Sequence, residues 1–202
     1  AMHVLVVGTG MQGRAALHHL ASSPGVTTIT AADRQVDEAR RFAEERGYAS
    51  RVAWVTLDAR NRTALGALFA NRPDVAIDLL PVPFIGAVAK AAVETSVPLV
   101  NTFYVTPELQ ALDAAARERG ITLLPELGMD PGLDLLLLGD AARRFDRILE
   151  ILCYGAGVPE PAAANNPLKY KISWTFEGVL RSYLRPACLV RDGGEIHLPA
   201  AD

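Results

Sequence analysis

The first part of the chain alternates two hydrophobic textures. Short apolar runs stand at His3–Val7, Thr27–Ala32, Val52–Leu57, Val75–Leu80, Val97–Val100 and Ile121–Leu124. A run of that length without strict alternation marks a parallel strand buried on both faces. Between the runs, apolar positions recur with helical period, predicting helices at Arg14–Ala21, Val36–Arg46, Asn61–Ala70, Pro83–Glu94 and Pro107–Arg119. In Val36–Arg46, Ala39, Phe42 and Ala43 share one side and charges occupy the other. Asn61 stands where an N-cap belongs, and Gly47 and Gly120 stand where helices stop. This β–α alternation predicts an α/β fold, a doubly wound parallel sheet with right-handed crossovers.

After Pro125 the pattern changes. A loop, Glu126–Gly132, feeds a leucine-rich helix at Leu133–Arg143. Strands are expected at Arg147–Tyr154 and Tyr170–Thr175, separated by a loop rich in Gly, Pro, Ala and Asn, with a helix at Phe176–Leu184. Leu189-Val190 and Ile196–Leu198 flank Asp192-Gly193-Gly194, a hairpin signal. The domain boundary is therefore set at 125/126: residues 1–125 form a nucleotide-type domain, and 126–202 the beginning of an α+β domain. About 75 residues with so few strands cannot cover a core of their own. The expectation is an N-terminal portion of a longer polypeptide, truncated in its second domain and inactive alone, though able to bind its cofactor.

The first strand ends in Gly8-Thr9-Gly10-Met11-Gln12-Gly13 and a helix follows at once. Each glycine has a physical task. Gly8 turns the chain out of the strand, Gly10 lets backbone approach a pyrophosphate, and Gly13 lets the helix pack close to the sheet. The helix's first N–H groups, at Met11, Gln12 and Gly13, would hold the phosphates. The second strand ends at Asp33, about 20 residues past the last glycine, where a ribose-binding acid belongs in a Rossmann fold. Asp33 also suits a helix cap. Its charge opposes a 2′-phosphate, favouring NAD, while Arg34 could stack on adenine or bind that phosphate, so NADP stays open. Ligands in such sheets sit beyond the carboxyl ends of the strands, which adds Leu80, Pro81 and Asn101 to the cofactor side. The same rule brings Tyr104, Glu126 and Asp130 towards the reacting centre. Two acids there could bind an amine or move a proton, or Asp130 could simply open an Asp-Pro-Gly turn.

Charge narrows the partners. Lys and Arg total 20 against 23 Asp and Glu, so no basic field draws nucleic acid or an anionic membrane. Cys153 and Cys188 show neither metal spacing nor a disulfide framework, and His3, His18, His19 and His197 lack ligand partners at familiar spacing; no metal is expected. The opening apolar run is too short for a secretory signal, so a reduced, cytoplasmic setting is expected.

Leu124-Pro125-Glu126-Leu127-Gly128-Met129-Asp130-Pro131-Gly132-Leu133-Asp134 resembles the E-x-G-x-D-P-G-x-D signature of saccharopine dehydrogenase-like proteins. Gly155-Ala156-Gly157-Val158-Pro159, Asn165–Trp174, Gly178-Val179-Leu180 and Arg185-Pro186-Ala187 resemble the segments that follow it. The resemblance runs the length of the chain. It implies a nicotinamide-dependent oxidoreductase acting on the C–N bond of an amino acid: saccharopine, lysine or a related amine. Hydride would leave an amine-bearing carbon for the cofactor, and water would hydrolyse the imine. It implies Tyr104, Asp130 and Lys171 at the catalytic centre, and Glu126, Asn166 and Trp174 as substrate contacts. It further implies a homodimer joined through the second domain. Two positions depart from the pattern: Gly155 follows Tyr154 where reductases often carry cysteine, and Asp33 precedes Arg34 where NADPH-dependent members commonly have serine. The alternative is a dinucleotide-binding or scaffold protein that has lost the reaction.

Overall fold

β1 (Met2–Val7) lies inside a parallel sheet that also contains β2 (Val26–Asp33), β3 (Val52–Thr56), β4 (Val75–Asp78), β5 (Leu99–Asn101) and β6 (Leu123–Leu124), in the order β3-β2-β1-β4-β5-β6. Its apolar run is unbroken because each face meets a different core. Val4 and Val6 join Leu17 and Ala21 of α1 (Met11–Ser22) and Ala43 of α2 (Asp37–Glu45). Leu5 and Val7 join Leu65, Leu68 and Phe69 of α3 (Arg62–Phe69), and Ile85 and Val88 of α4 (Ile85–Thr95). Helices therefore cover both faces, as a doubly wound sheet requires. The computed structural model describes residues 2–155, 157–171 and 176–200. They fall into two compact units, 1–151 and 152–202, taken separately below.

The caps follow the sequence. The Asn61 side chain accepts from the Ala64 N–H at 3.0 Å and starts α3. Thr106 does the same for the Leu109 N–H at 3.3 Å and starts α5 (Pro107–Ala111). The helix expected over Pro107–Arg119 is divided, α6 (Asp113–Glu118) following a break at Leu112. There the Leu112 N–H bonds to the Leu109 carbonyl at 3.1 Å, a tightened turn that lets both leucines meet the core under α4. Α 3₁₀ turn at Val82–Phe84 likewise delays the expected helix start from Pro83 to Ile85.

Past β6, the leucine-rich helix is α7 (Leu133–Ala142). The strand expected at Arg147–Tyr154 is absent; that stretch has no regular structure. Its apolar residues predicted a strand, but a strand needs a neighbour for its N–H and C=O groups. Among the described residues none pairs with it. In the second unit, α8 (Phe176–Ser182) precedes an antiparallel hairpin of β7 (Ala187–Arg191) and β8 (Gly194–Leu198). Asp192 and Gly193 turn it with φ of 52° and 76°, the paired positive values of a two-residue hairpin loop. Tyr170 and Lys171 are not in a strand, and the rest of that expected strand, with Trp174, lies outside the described residues.

Candidate dinucleotide and substrate site

Where β1 ends, the backbone crowds so closely that side chains are impossible. A Cβ on Gly8, whose φ is +99°, would lie 2.7 Å from the Leu79 carbonyl carbon and oxygen at the end of β4. One on Gly13 would lie 2.1 Å from the Gly8 carbonyl oxygen, so α1 starts pressed against the turn that precedes it. Gly10 is the opposite case. Nothing stands within 4 Å of where its Cβ would be, and it is the N-cap of α1 without a side-chain capping bond. The first N–H groups of α1, with Met11 and Gln12 exposed beside them, thus open onto free space. Two tight glycines and one open one make a cradle that fits a pyrophosphate at a helix N-terminus.

Asp33 closes β2 beside this cradle and is held by it. Its Oδ2 accepts from the Thr9 N–H at 2.7 Å and its Oδ1 from the Gln35 N–H at 3.1 Å. The carboxylate therefore braces the glycine loop. Arg34 is exposed. Beyond β3, side-chain and backbone hydrogen bonds from Arg60, helped by the charges of Arg60 and Arg34, hold the Asp58 carboxyl down at about 2. Asp58 went unnoticed in the sequence because its partner lies only two residues away in a turn, where acids are ordinary.

On the other side of β1, Leu80 is half-buried and Pro81 exposed, at the strand end facing the cradle. Beneath them is Asp78, 1% exposed. Its register neighbours are Val7 on β1 and Asn101 on β5. Oδ1 accepts from the Leu80 N–H at 3.0 Å, whereas Oδ2 has no hydrogen-bond partner among the described residues. Burial pushes this carboxyl up to about 7, against the Leu80 hydrogen bond that pulls it down. An acid ending a central strand was the available signal, the one that singled out Asp33. Asn101 is equally buried, and its Oδ1 accepts from the Phe103 N–H at 3.1 Å, shaping the turn after β5.

That turn carries the second half of the site. The Leu127 and Glu126 N–H groups donate to the Asn101 and Phe103 carbonyls at 3.0 and 2.9 Å, so the Glu126–Gly132 loop continues the sheet edge. Glu126 Oε1 accepts from the Val105 N–H at 3.0 Å. A Cβ on Gly132, with φ +148°, would lie 2.2 Å from the Gly128 carbonyl oxygen, which makes the loop a closed ring. The Gly132 N–H donates to Asp134 Oδ1 at 2.8 Å. Held this way, exposed Asp130 receives the Tyr104 hydroxyl at 3.1 Å on Oδ1. Tyr104 and Asp130 thus meet, while Glu126 bonds the backbone one residue past Tyr104. Asn166 and Lys171 lie in the second unit. There Asn166 Oδ1 accepts from the Leu168 and Tyr170 N–H groups at 3.1 and 3.3 Å, its amide donates to the Tyr170 carbonyl, and Lys171 is exposed.

A doubly wound sheet with a glycine cradle at the end of its first strand defines a dinucleotide-binding Rossmann domain. Residues 4–124 match the family model described as the saccharopine dehydrogenase NADP binding domain, and residues 128–202 match the saccharopine dehydrogenase C-terminal domain. The chain belongs to the saccharopine dehydrogenase family. It is 34% identical over 194 residues to saccharopine dehydrogenase [NADP(+), L-glutamate-forming] of Pyricularia oryzae, covering 94% of this chain and 42% of that protein. The Saccharomyces cerevisiae enzyme of the same name is 31% identical over 195 residues, covering 95% and 42%. The mitochondrial alpha-aminoadipic semialdehyde synthase of Bos taurus is 31% identical, covering 94% and 20%. The solved apo structure of the S. cerevisiae saccharopine dehydrogenase superposes with a TM-score of 0.78 at 28% identity, covering 99% of this chain and 44% of that one. The chain therefore spans less than half the length of these relatives.

Proposed function

We propose that this chain supplies the cofactor site and part of the substrate site of an NADP-dependent oxidoreductase acting on the C–N bond of an amino acid. The carrying observation is the Tyr104–Asp130 pair, 3.1 Å apart, on the sheet edge that also bears the glycine cradle. When bound, the nicotinamide supplies hydride acceptance or donation at the amine-bearing carbon. The chain's own residues do the orienting. Asp130 receives the substrate's ammonium, with Tyr104 fixing the Asp130 carboxylate. The resemblance assigns Lys171, Asn166 and Trp174 to substrate contacts, and Glu126 holds the loop that carries Asp130.

NADP stands first and NAD second. Asp33 favours NAD by its charge, but both its oxygens are engaged by backbone N–H groups, and exposed Arg34 beside it suits a 2′-phosphate. The curated relatives are named for NADP. The functional boundary is proposed at 125/126, between the two matched regions. A cytoplasmic location, a homodimer formed through residues 126–202, and no nucleic-acid or membrane partner belong to the same proposal. No helix among the described residues is long and apolar enough to cross a membrane.

The test has two parts. Calorimetric titration of the chain with NADP and NAD should show binding of both, tighter for NADP, with Arg34→Ala removing that preference. The intact polypeptide, offered saccharopine, lysine and carboxynorspermidine, should generate reduced cofactor with one of them. Cofactor binding without turnover of any such amine would reject the activity.

A further inference from the structure

We infer that the β7–β8 hairpin carries a metal site in which Cys188, Glu195 and His197 take a divalent ion of the zinc class. The antiparallel register places Cys188 directly opposite His197, with Glu195 two residues before His197 on the same strand. Alternation along each strand then puts all three side chains on one face. Leu189 and Ile196, paired on the other face, are partly buried, whereas the three polar residues are exposed. The strand register therefore fixes which way the three side chains point, with exposed Val190 beside them on the same face.

Their ligand atoms converge. Glu195 Oε1 lies 2.9 Å from Cys188 Sγ and 3.3 Å from His197 Nε2, and all three atoms fall within 4.8 Å of one another. Tetrahedral zinc, with Zn–S of about 2.3 Å and Zn–N or Zn–O of about 2.0–2.2 Å, holds its ligands about 3.4 Å apart. The two edges at Glu195 Oε1, 2.9 and 3.3 Å, are already near that spacing. A thiolate, an imidazole and a carboxylate form a mixed donor set that suits zinc; magnesium and calcium favour all-oxygen sites. Three protein ligands leave the fourth position to water. The spacing of Glu195 and His197 is not a familiar motif, and Cys188 is remote in sequence, so only the strand register reveals the set.

The site has a physical consequence. β7 and β8 form a two-stranded sheet among the described residues, an element of marginal stability in water. An ion bound to both strands ties them together, and its binding free energy becomes hairpin stability.

Cobalt(II) reports on zinc sites through thiolate-to-metal charge-transfer absorption. Titration of the chain with cobalt should give this band at one equivalent, bleached by added zinc. Cys153→Ser, which removes the other exposed thiol, should leave the band intact. Cys188→Ser should abolish it, and Glu195→Gln and His197→Ala should each weaken cobalt binding about tenfold or more. All four positions are exposed, and far-UV circular dichroism verifies that each variant folds. As a second readout, zinc should slow amide exchange across β7 and β8 in the parent chain and not in Cys188→Ser. Absence of the band, its survival in Cys188→Ser, binding unchanged in His197→Ala, or exchange indifferent to zinc would each overturn the inference.

Discussion

α4 and α7 are built from similar material and end in opposite environments. α4 buries Ile85, Ala87, Val88, Ala89, Ala91, Ala92 and Val93, while α7 buries none of its residues. In α7, Leu133, Leu135, Leu136 and Leu137 are 49–70% exposed. The difference is not one of apolar content. α4 closes a β–α–β crossover between β4 and β5, and that connection lays it onto the sheet. α7 follows a closed glycine ring after β6 and no paired strand follows it in the first unit. Apolar composition gives a helix a reason to be buried; topology decides whether a surface is there to receive it.

The broadest effects, on binding and stability together, should appear where the backbone itself is packed. Gly13→Ala places a Cβ 2.1 Å from the Gly8 carbonyl, where only backbone can yield. The variant should lose dinucleotide binding in a calorimetric titration and unfold about 3 kcal/mol more easily, at the upper end for overpacking. Normal binding by this variant would show that the cradle is not the cofactor site.

Side-chain truncation tests the two helices directly. Ile85→Ala removes a fully buried side chain from α4 and should cost about 2–5 kcal/mol in urea unfolding. Leu136→Ala, at a position 64% exposed in α7, should stay within about 0.5 kcal/mol of the parent. Equal costs would mean that α7 is as buried in solution as α4, and the contrast would collapse.

The sequence showed the sheet more fully than the site. Strands buried on both faces leave an unmistakable signal, and six of these runs sufficed to give the strand count and connection pattern of the observed sheet. The cradle was equally legible, since Gly8, Gly10 and Gly13 answer local backbone needs. Legibility failed where a property depends on something distant. Arg147–Tyr154 has a strand's composition and, among the described residues, no strand to pair with. Asp78 looks like any strand-end acid until burial and the missing Oδ2 partner are known. Glu126 and Asp130 were singled out together, yet one secures the loop backbone and the other faces Tyr104. Cys188 and His197 become neighbours only through the hairpin register.

Asp78 gives the buried half of the molecule a pH signature. Its carboxyl is raised from an ordinary 3.8 to about 7 by burial, and only the Leu80 N–H opposes the shift. Its register neighbours Val7 and Asn101 carry no charge. Between those pH values the folded state binds a proton that the unfolded chain has released. Stability from this group therefore falls as pH rises through the window, by up to about 1.4 kcal/mol per pH unit. Asp78→Asn keeps an acceptor for Leu80 and cannot ionise. The difference in unfolding free energy between parent and variant should move in the variant's favour from about pH 5 to about pH 8. A difference that stays flat over that range would mean that Asp78 is already ionised in the fold.

A small effect, with the opposite sign to that at Gly13, comes from the glycine in α7. Gly139 sits within the helix, with nothing within 4 Å of the place a Cβ would occupy. There the only consequence of Gly139→Ala is conformational. Alanine restricts the unfolded chain and favours helix by about 0.7 kcal/mol relative to glycine. Amide exchange across α7 should slow about threefold, with the exchange of α4 unchanged. The two substitutions are chemically the same, a methyl group added to a helical glycine. In α1 the added group meets a carbonyl, and in α7 it meets solvent. If Gly139→Ala instead speeds exchange in α7, the methyl group has struck a neighbour. The face of α7 bearing Gly139 would then be a packing surface in solution, and its difference from α4 would be one of degree.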